Sequence, residues 1–388
     1  MSTAPVSTAV DQTSSFWPAE TLLRLRETHD SPQIVALAEI LNNFAAEGLA
    51  AVFSSTGVMD PTRIWPSAEA LLGALGVAES FMPLAHSCLY VLARHGYLEM
   101  PPNGICRATG KPYGDMAANA DHFAHEQPRC AAHIRLTALC VTSILAVLRG
   151  QRAPTEVFFG EGLTYMEGVF RDNPNADFHN ALCAAFVSQW LSTRLETPGS
   201  HAPIAILEMG AGTGGTTTAV LPILDPHCAS ISYDYTDVSV RFRRIGRKQF
   251  GEGRPWLNFG LFDMERDALA QGYNANSFDL IVASNVLHAS RDIGRVLRNV
   301  RQLLKPGGVL LLSEMTAFMS YTSVTFGLLE GWWAFEDPAR RIPFTPLLDP
   351  DAWCRALTEH GFSRIEVADG GTPGCAQSVI AATWGRND

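Results

Sequence analysis

The 388-residue chain has few charged residues, no repeated segment and no long uninterrupted apolar run. Only 18% of the residues are charged and 47% are apolar, which is the composition of a folded globular protein. No unbroken apolar run approaches the roughly 18 residues that span a bilayer, so no membrane partner is expected. Residues 1–15 lack both a basic cluster and an apolar segment. They are predicted to be a short disordered tail and not a signal peptide.

Positive charge and closely spaced cysteines are also lacking. The formal net charge of −10 disfavours nucleic acid as a partner, because phosphate binding requires a basic surface. The eight cysteines contain no C-x-x-C pair and are interpreted as reduced cysteines of a cytoplasmic protein. One short segment does contain metal-binding side chains: His122, His125, Cys130 and His133. Their spacing matches no common metal-binding pattern, so no metal site is predicted.

The most informative stretch is 204–220, in which an apolar run ends at Glu208 and alternating glycines follow. Gly210, Gly212 and Gly214 precede a segment that is compatible with a helix. This pattern predicts a buried strand, a tight turn and the N-terminus of a helix. Glycines in such a turn permit positive φ angles and let a ligand approach the backbone closely.

Two cofactors are compatible with this turn. Gly210, Gly212 and Gly215 fit the dinucleotide pattern G-x-G-x-x-G, and Asp237 follows at about the expected 20 residues. Glu208 favours a different ligand, because a carboxylate before the first glycine repels a pyrophosphate and attracts a cation. S-adenosylmethionine carries an ammonium and a sulfonium group and no phosphate, so it is the preferred cofactor. A nicotinamide dinucleotide and a turn without any ligand are the alternatives.

The chain divides into two predicted domains. Residues 16–197 are mainly helical, and a short helix, a longer helix and an extended segment at 67–100 predict a winged-helix-like shape. Arg94 is the only Lys or Arg in that segment, so a packing, lid or dimerisation role is preferred to DNA binding. A segment rich in proline and glycine at 197–203 marks the boundary, and 198–388 forms the second domain.

The second domain alternates strands with helices, which predicts an α/β fold with a doubly wound parallel sheet and helices on both faces. The strands are predicted at 204–209, 230–237, 257–262, 278–284, 308–313, 362–368 and 378–384. Ligands of such sheets lie at the carboxyl ends of the strands, so the residues after each strand are candidates for the site.

The candidates for cofactor binding follow the first four strands. Asp237 is expected to accept hydrogen bonds from both ribose hydroxyls. Phe262 is expected to stack on the adenine, and Asp263 to accept from the adenine amino group. Each acid taken alone is also an ordinary helix N-cap. The full predicted set is Glu208, Gly210, Gly212, Gly214, Asp237, Phe262, Asp263 and Asn285.

Two further side chains predict the chemistry. His288 follows the fourth strand and Glu314 ends the fifth, and these strands are expected to be neighbours about 5 Å apart. A histidine oriented by a carboxylate is a general base with its partner. The alternative is a histidine that caps the next helix and a glutamate that pairs with an arginine.

Aromatic residues are concentrated in an insertion at 315–350. Phe326, Trp332 and Trp333 are predicted to form a lid or a substrate wall, with core packing as the alternative. Tyr165, upstream of the glycine turn, is a further candidate for substrate binding, and an ordinary packing role is as plausible for it.

Several of these stretches together resemble one family. The stretches are ILEMGAGTGGTT at 206–217, YTDVS at 235–239, FDLIVASNVLHAS at 278–290, LRNVRQLLKPGG at 297–308 and FGLLEGWW at 326–333. They resemble the carbon-methyltransferase domains of polyketide synthases, and the resemblance covers about residues 200–385. It implies a class I methyltransferase core, S-adenosylmethionine, and a β-ketoacyl chain on an acyl carrier protein. It also implies that His288 and Glu314 remove the α-proton.

The expected function is therefore carbon methylation of an activated α-carbon. Methylation of an oxygen, methylation of a free small molecule, and a binding module without turnover are the alternatives. Such domains usually lie within megasynthases, whereas this sequence is expected to act as a free-standing protein. A carrier protein is acidic, and the one basic run that suits it is 241–248, although a solvated helix face explains that run equally well. The sequence leaves monomer or homodimer open.

Overall fold

The computed structural model of the protein describes residues 15–29, 31–101, 104–114, 119–196, 202–368 and 375–385. The tail predicted at 1–15 lies outside these ranges except for Ser15. Within them the chain forms the α-helices Ala19–Thr28 (α1), Ser31–Ser54 (α2), Ala68–Leu75 (α3), Met82–Arg94 (α4), Ala120–Glu126 (α5), Ala131–Leu148 (α6), Leu163–Phe170 (α7), Pro174–Glu196 (α8), Gly215–Leu224 (α9), Val240–Phe250 (α10), Ile293–Leu303 (α11), Ser320–Val324 (α12) and Pro350–Glu359 (α13).

The strands form two sheets. The first is small and contains Ile64–Trp65 (β1), Leu98–Glu99 (β2) and Cys106–Ala108 (β3). The second, larger sheet contains Ile204–Met209 (β4), Ile231–Asp237 (β5), Leu257–Leu261 (β6), Phe278–Ser284 (β7), Leu304–Met315 (β8), Phe362–Ala368 (β9) and Gln377–Trp384 (β10).

The N-terminal helices pack around α2 and α6, which contact each other and supply much of one hydrophobic core. The segments Pro32–Ser54 and Pro128–Leu148 are long and apolar enough to cross a membrane by length and composition alone, with mean hydropathies of 1.3 and 1.8. Half or more of each is buried inside the protein, as in core helices. The sequence expectation considered only unbroken apolar runs and therefore missed both segments.

The predicted winged-helix order is present in the elements β1, α3, α4, β2 and β3. Ser67 caps α3, its Oγ accepting from the backbone N–H of Ala70 at 3.2 Å. Gly76 ends the helix with φ of 74°, a conformation that favours glycine. β3 lies between β1 and β2 in an antiparallel sheet, which gives the wing.

The larger sheet has the order β6-β5-β4-β7-β8-β10-β9. β4 to β8 are parallel, as predicted, whereas β10 is antiparallel to both of its neighbours. The alternation of strands and helices in the sequence does not indicate this reversal. β8 also begins earlier than predicted, because Leu304 pairs with Phe278 before an irregularity that precedes the Leu280–Val309 pairing.

The two parts of the sequence interleave in their packing. α1 and α8 precede the predicted boundary at 197, yet Phe178 and Phe186 of α8 pack in the core on one face of the larger sheet. In the opposite direction, α12 is fully buried and packs with Met319 and Leu328 against the N-terminal helices. The aromatic insertion is therefore fixed between the N-terminal helices and the carboxyl edge of the sheet.

Candidate active site

A cavity of about 470 Å³ lies where the carboxyl ends of the parallel strands meet the N-terminal helices. Its walls come from the ends of β4, β5, β7 and β8, from α6, α7 and α8, and from the insertion. Its size is that of a typical cofactor or substrate site. Of the residues predicted for cofactor binding, it is lined by Glu208, Gly210, Gly212, Asp237, Phe262, Asp263 and Asn285.

The glycine turn has a shape that only glycine permits at two positions. Gly210 has φ of 62°, and a Cβ atom there would lie 2.3 Å from Cγ2 of Val286. Gly214 has φ of 78°, and a Cβ atom there would lie 2.3 Å from Cε2 of Phe250. Gly214 does not line the cavity. The lack of a side chain at Gly214 allows α9 to begin close to α10.

Glu208 is buried directly before the turn. Its Oε2 accepts hydrogen bonds from Oγ1 of Thr217 at 2.7 Å and from the hydroxyl of Tyr233 at 2.8 Å. Within the described residues its Oε1 accepts none, and the residue lines the cavity. Burial raises the pKa of Glu208 to about 7, against the two hydrogen bonds that lower it. A cation in the cavity would stabilise the ionised carboxylate.

Asp237 joins the end of β5 to the glycine turn. Its Oδ2 accepts from the backbone N–H of Gly212 at 3.0 Å, and its Oδ1 from that of Ser239 at 2.7 Å. Burial raises the pKa of Asp237, and both hydrogen bonds oppose the rise. The carboxylate therefore holds the turn in place and also faces the cavity, where the sequence places a ribose.

The other three predicted cofactor residues occupy the ends of β6 and β7. Phe262 is buried, with its ring edge-on to Tyr273 at 5.0 Å between centroids. Asp263 accepts from the backbone N–H of Glu265 at 3.0 Å. Asn285 has φ of 51°, and its Oδ1 accepts from the backbone N–H of Met315 at 3.0 Å, so it ties the end of β7 to β8.

His288 and Glu314 form the pair that the sequence predicts. Nδ1 of His288 lies 2.5 Å from Oε2 of Glu314, and both side chains are buried. Oε1 of Glu314 accepts from the backbone N–H of Leu287 at 2.8 Å and from that of Val286 at 3.2 Å. A carboxylate bound to Nδ1 selects the tautomer with a proton on Nδ1 and leaves Nε2 with a free lone pair.

Arg341 holds the backbone of the same histidine. Its Nη1 donates to the carbonyl oxygen of His288 at 2.9 Å, and its Nη2 to that of Ser290 at 3.0 Å. Nε of the guanidinium donates to Oδ1 of Asp337 at 2.6 Å, so its charge is paired although the side chain is buried. Burial lowers the pKa of Arg341. No pattern in the sequence indicates that this arginine of the insertion reaches His288.

Two of the four residues predicted for substrate binding line the cavity. Trp332 is edge-on to His288, with 5.8 Å between ring centroids, and it stacks on Phe326 at 6.1 Å. Tyr165 and Trp333 do not line it. Tyr165 is half-buried against the N-terminal core, and Nε1 of Trp333 donates to the carbonyl of Gly327 at 2.7 Å.

The N-terminal domain supplies cavity residues that were not among the candidates. Phe158 and Phe159 come from a π-helix at Glu156–Glu161, and a single π-helical turn is often found at a functional site. His133 of α6 and Phe170 of α7 also line the cavity, and the insertion adds Tyr321 of α12. Within the described residues no group of three His, Cys, Asp or Glu could hold a metal ion.

The charge of the cavity wall distinguishes between S-adenosylmethionine and a nicotinamide dinucleotide as the cofactor. Among the described residues the wall contains the acids Glu208, Asp237, Asp263 and Glu265, and it contains no Lys or Arg. A pyrophosphate would be repelled here, whereas a sulfonium and an ammonium group would be attracted.

Comparisons with known proteins agree with this geometry. A family model described as a methyltransferase domain matches residues 207–310. The polyketide synthase ThaQ of Burkholderia thailandensis is 35% identical over 267 residues, which are 68% of this chain and 13% of that protein. The DszA carbon methyltransferase structure is 33% identical with a TM-score of 0.84, and the match covers 96% of this chain and 95% of that one.

The chain belongs to the carbon methyltransferases of polyketide synthases. The CurJ carbon methyltransferase structure is also similar, with 28% identity, a TM-score of 0.85, and coverage of 95% of this chain and 97% of that one. Membership makes this carbon methyltransferase an S-adenosylmethionine-dependent enzyme with a class I methyltransferase fold. The predicted fold and cofactor are thus confirmed, and the nicotinamide alternative is wrong. The chain spans only a small fraction of the synthases that it matches.

Proposed function

We propose that the protein methylates the α-carbon of a β-ketoacyl chain, with His288 as the general base and Glu314 as the group that orients it. The His288–Glu314 pair at the end of two neighbouring strands carries this proposal. The pair lies beside a cavity wall that is acidic on the cofactor side and aromatic around Trp332.

Each side chain has a defined task in this mechanism. Nε2 of His288 accepts the proton of the carbon between the two carbonyl groups, and Glu314 stabilises the imidazolium that results. S-adenosylmethionine, when bound, supplies the electrophilic methyl group. Glu208, which directly precedes the glycine turn, and Asp237, which accepts from the backbone of Gly212, are the residues that would hold it. Trp332 and Phe326 exclude water from the carbanion-like carbon and orient the chain.

We propose further that the acyl chain is presented by an acyl carrier protein that docks on α10. This helix carries Arg241, Arg243, Arg244, Arg247 and Lys248, and within the described residues none of them forms an ion pair. Val238 and Phe242, at the start of the helix, line the cavity, and Val238 is 67% exposed. A strongly basic surface at a cavity entrance, on a chain of net charge −10, suits an acidic partner.

The test is mass spectrometry of a β-ketoacyl carrier protein after incubation with the enzyme and S-adenosylmethionine. The expected result is one added CH₂ on the acyl chain. No added mass on any β-ketoacyl chain, on carrier or as a free thioester, would refute the proposal. A methyl ether as the product would decide for oxygen methylation instead.

A further inference from the structure

His133 and Tyr321 are buried polar side chains with no task in the mechanism above. His133 lies on α6 and is 6% exposed, and Tyr321 lies on α12 and is 8% exposed. Their rings meet edge to face, with 5.6 Å between centroids. Within the described residues neither Nδ1 of His133 nor the hydroxyl of Tyr321 makes a hydrogen bond. Buried polar groups are nearly always paired, so the unpaired Nδ1 of His133 is an exception. With the Tyr321 hydroxyl beside it, which lines the cavity without a hydrogen bond, it indicates a partner that is supplied by a ligand.

The same two residues stand between two cavities. Both line the main cavity and also a neighbouring side cavity of about 40 Å³, as do Asn175, Met315 and Gln377. His288, Glu208 and Asp237 line only the main cavity. A chain whose α-carbon lies at His288 and whose tail enters the side cavity therefore passes His133 and Tyr321.

The remainder of the side cavity is mostly apolar and small. Leu37 and Leu41 of α2 line it, together with Cys130 next to α6. Its volume of about 40 Å³ is less than a tenth of the about 470 Å³ of the main cavity. It therefore accepts only the short end of a chain.

Tyr321 is held firmly at this junction. Its backbone N–H donates to Oδ1 of Asn42 at 3.3 Å, and Nδ2 of Asn42 donates to Sδ of Met319 at 3.5 Å. All residues of α12 are buried. A fixed hydroxyl loses little conformational freedom when it binds a ligand, and it selects by position.

His133 is a neutral partner at this place. Burial in apolar surroundings lowers its pKa to about 4, so the imidazole carries no charge at neutral pH. A neutral imidazole and a phenol each offer one donor and one acceptor. Together they suit an uncharged oxygen, such as a hydroxyl or a keto group, and not an anion.

Resting on the proposed function, we propose that His133 and Tyr321 bind a hydroxyl or keto oxygen on the acyl chain beyond its β-carbonyl. The short apolar end of the chain then lies in the side cavity. A chain without that oxygen leaves both groups desolvated and unpaired, and a site of this kind rejects such an analogue strongly. The enzyme therefore selects a short chain with an additional oxygen.

The test compares matched pairs of thioester substrates with the purified full-length protein. Each pair is a 3-oxoacyl N-acetylcysteamine thioester with and without a hydroxyl at the fifth, sixth or seventh carbon. In the wild type we expect kcat/KM to be at least about tenfold higher for one of the hydroxylated chains than for its plain partner. Tyr321→Phe should abolish that preference by slowing the hydroxylated chain alone.

Tyr97→Phe is the matched control, because Tyr97 is a buried tyrosine that lines neither cavity. It should keep the preference. Equal kcat/KM values within every pair would overturn this inference while leaving the proposed function intact, and so would a Tyr321→Phe variant that slows both chains equally. If no chain of the series is methylated, either on N-acetylcysteamine or on a carrier protein, the proposed function fails and takes the inference with it.

Discussion

Glu314 binds His288 with one carboxylate oxygen and the backbone before His288 with the other. Oε2 lies 2.5 Å from Nδ1 of the imidazole, while Oε1 accepts the N–H of Leu287 at 2.8 Å. One side chain thus sets both the tautomer of the histidine and the position of the turn that carries it. These two effects respond differently to substitution.

Glu314→Gln should separate them. The amide oxygen keeps the bonds to Val286 and Leu287, but the amide N–H₂ then faces Nδ1 and forces the proton onto Nε2. The free lone pair of the base is lost, so we expect the methylation rate to fall by about 10²- to 10⁴-fold. Rapid-quench mass spectrometry measures the rate, and calorimetry should show unchanged cofactor affinity.

His288→Ala should lose a similar factor, and the double variant should lose little more, because the two residues act as a unit. Glu99→Gln, on the exposed surface of the N-terminal sheet, is the control and should leave the rate unchanged. A Glu314→Gln enzyme that works at the full rate would remove the role assigned to the pair.

Cofactor binding should depend on pH through Glu208. The folded-state pKa of about 7 lies above the ordinary value of 4.5, so without cofactor the protonated form is favoured up to about pH 7. Glu208 binds its proton more tightly in the folded protein than in the unfolded chain. It therefore stabilises the fold at low pH, and this contribution to stability is lost as pH rises from 4.5 to about 7. A bound cation favours the ionised form, so S-adenosylmethionine affinity should rise by about tenfold from pH 6 to pH 8.

Isothermal calorimetry of Glu208→Gln is the decisive comparison for this prediction. The amide keeps the hydrogen bonds from Thr217 and Tyr233 but does not titrate. Its affinity should therefore be low and should lack the rise through pH 7. The same rise in both proteins would show that another group, such as the amino group of the cofactor, is responsible.

Gly210→Ala should damage both the fold and the site. The substitution places an alanine in the left-handed conformation of Gly210, which costs about 1–3 kcal/mol, and its Cβ atom would clash with Val286. Val286 precedes Leu287 and donates to Glu314, so the shift should also reach His288. Thermal unfolding and the methylation rate measure the two effects.

Gly253→Ala is the matched control for Gly210. Gly253 has φ of 73°, and a Cβ atom there has nothing within 4 Å. This variant should lose only the stability that an alanine in a left-handed conformation costs. Its methylation rate per folded molecule should not change. If both variants lose stability and rate alike, the contact with Val286 has no special importance.

Reversing charge on α10 should weaken the reaction with carrier-bound chains only. For Arg241→Glu with Arg244→Glu we expect KM for the β-ketoacyl carrier protein to rise by about tenfold or more. KM for the same chain on N-acetylcysteamine should not change. The KM of the wild type for the carrier should also rise with salt, because exposed charges are screened.

Arg24→Glu with Arg295→Glu changes the net charge equally on exposed positions of α1 and α11 and serves as the control. If KM for the carrier protein rose equally in the two double variants, the rise would indicate a general effect of charge. Docking on α10 would then be excluded.

The parallel strands and the residues at their ends could be predicted because each depends on local sequence. An apolar run that stops at Glu208, or a few residues before His288, specifies both a buried strand and the place where a side chain meets a ligand. The sheet topology brings these ends to one edge, so Glu208, Asp237, His288 and Glu314 line or border one site.

The opposite wall of the cavity depends on contacts that are distant in sequence. Tyr321 meets His133 across almost two hundred positions, and Arg341 reaches the backbone of His288 from the insertion. Neither contact leaves a periodic or motif-like signal. Tyr165 lies upstream of the glycine turn in the chain but outside the cavity wall, whereas packing places Phe158 and Phe159 in that wall.

The central claim is tested most directly by where the transferred methyl group is bonded. Carbon-13 NMR of the product formed with S-adenosylmethionine labelled at its methyl carbon distinguishes a methyl on carbon from one on oxygen. We expect a methyl group on the α-carbon of the β-ketoacyl chain, formed by the wild type and nearly absent with His288→Ala. A methyl ether, or an α-methyl product that forms equally fast without the imidazole, would contradict the account.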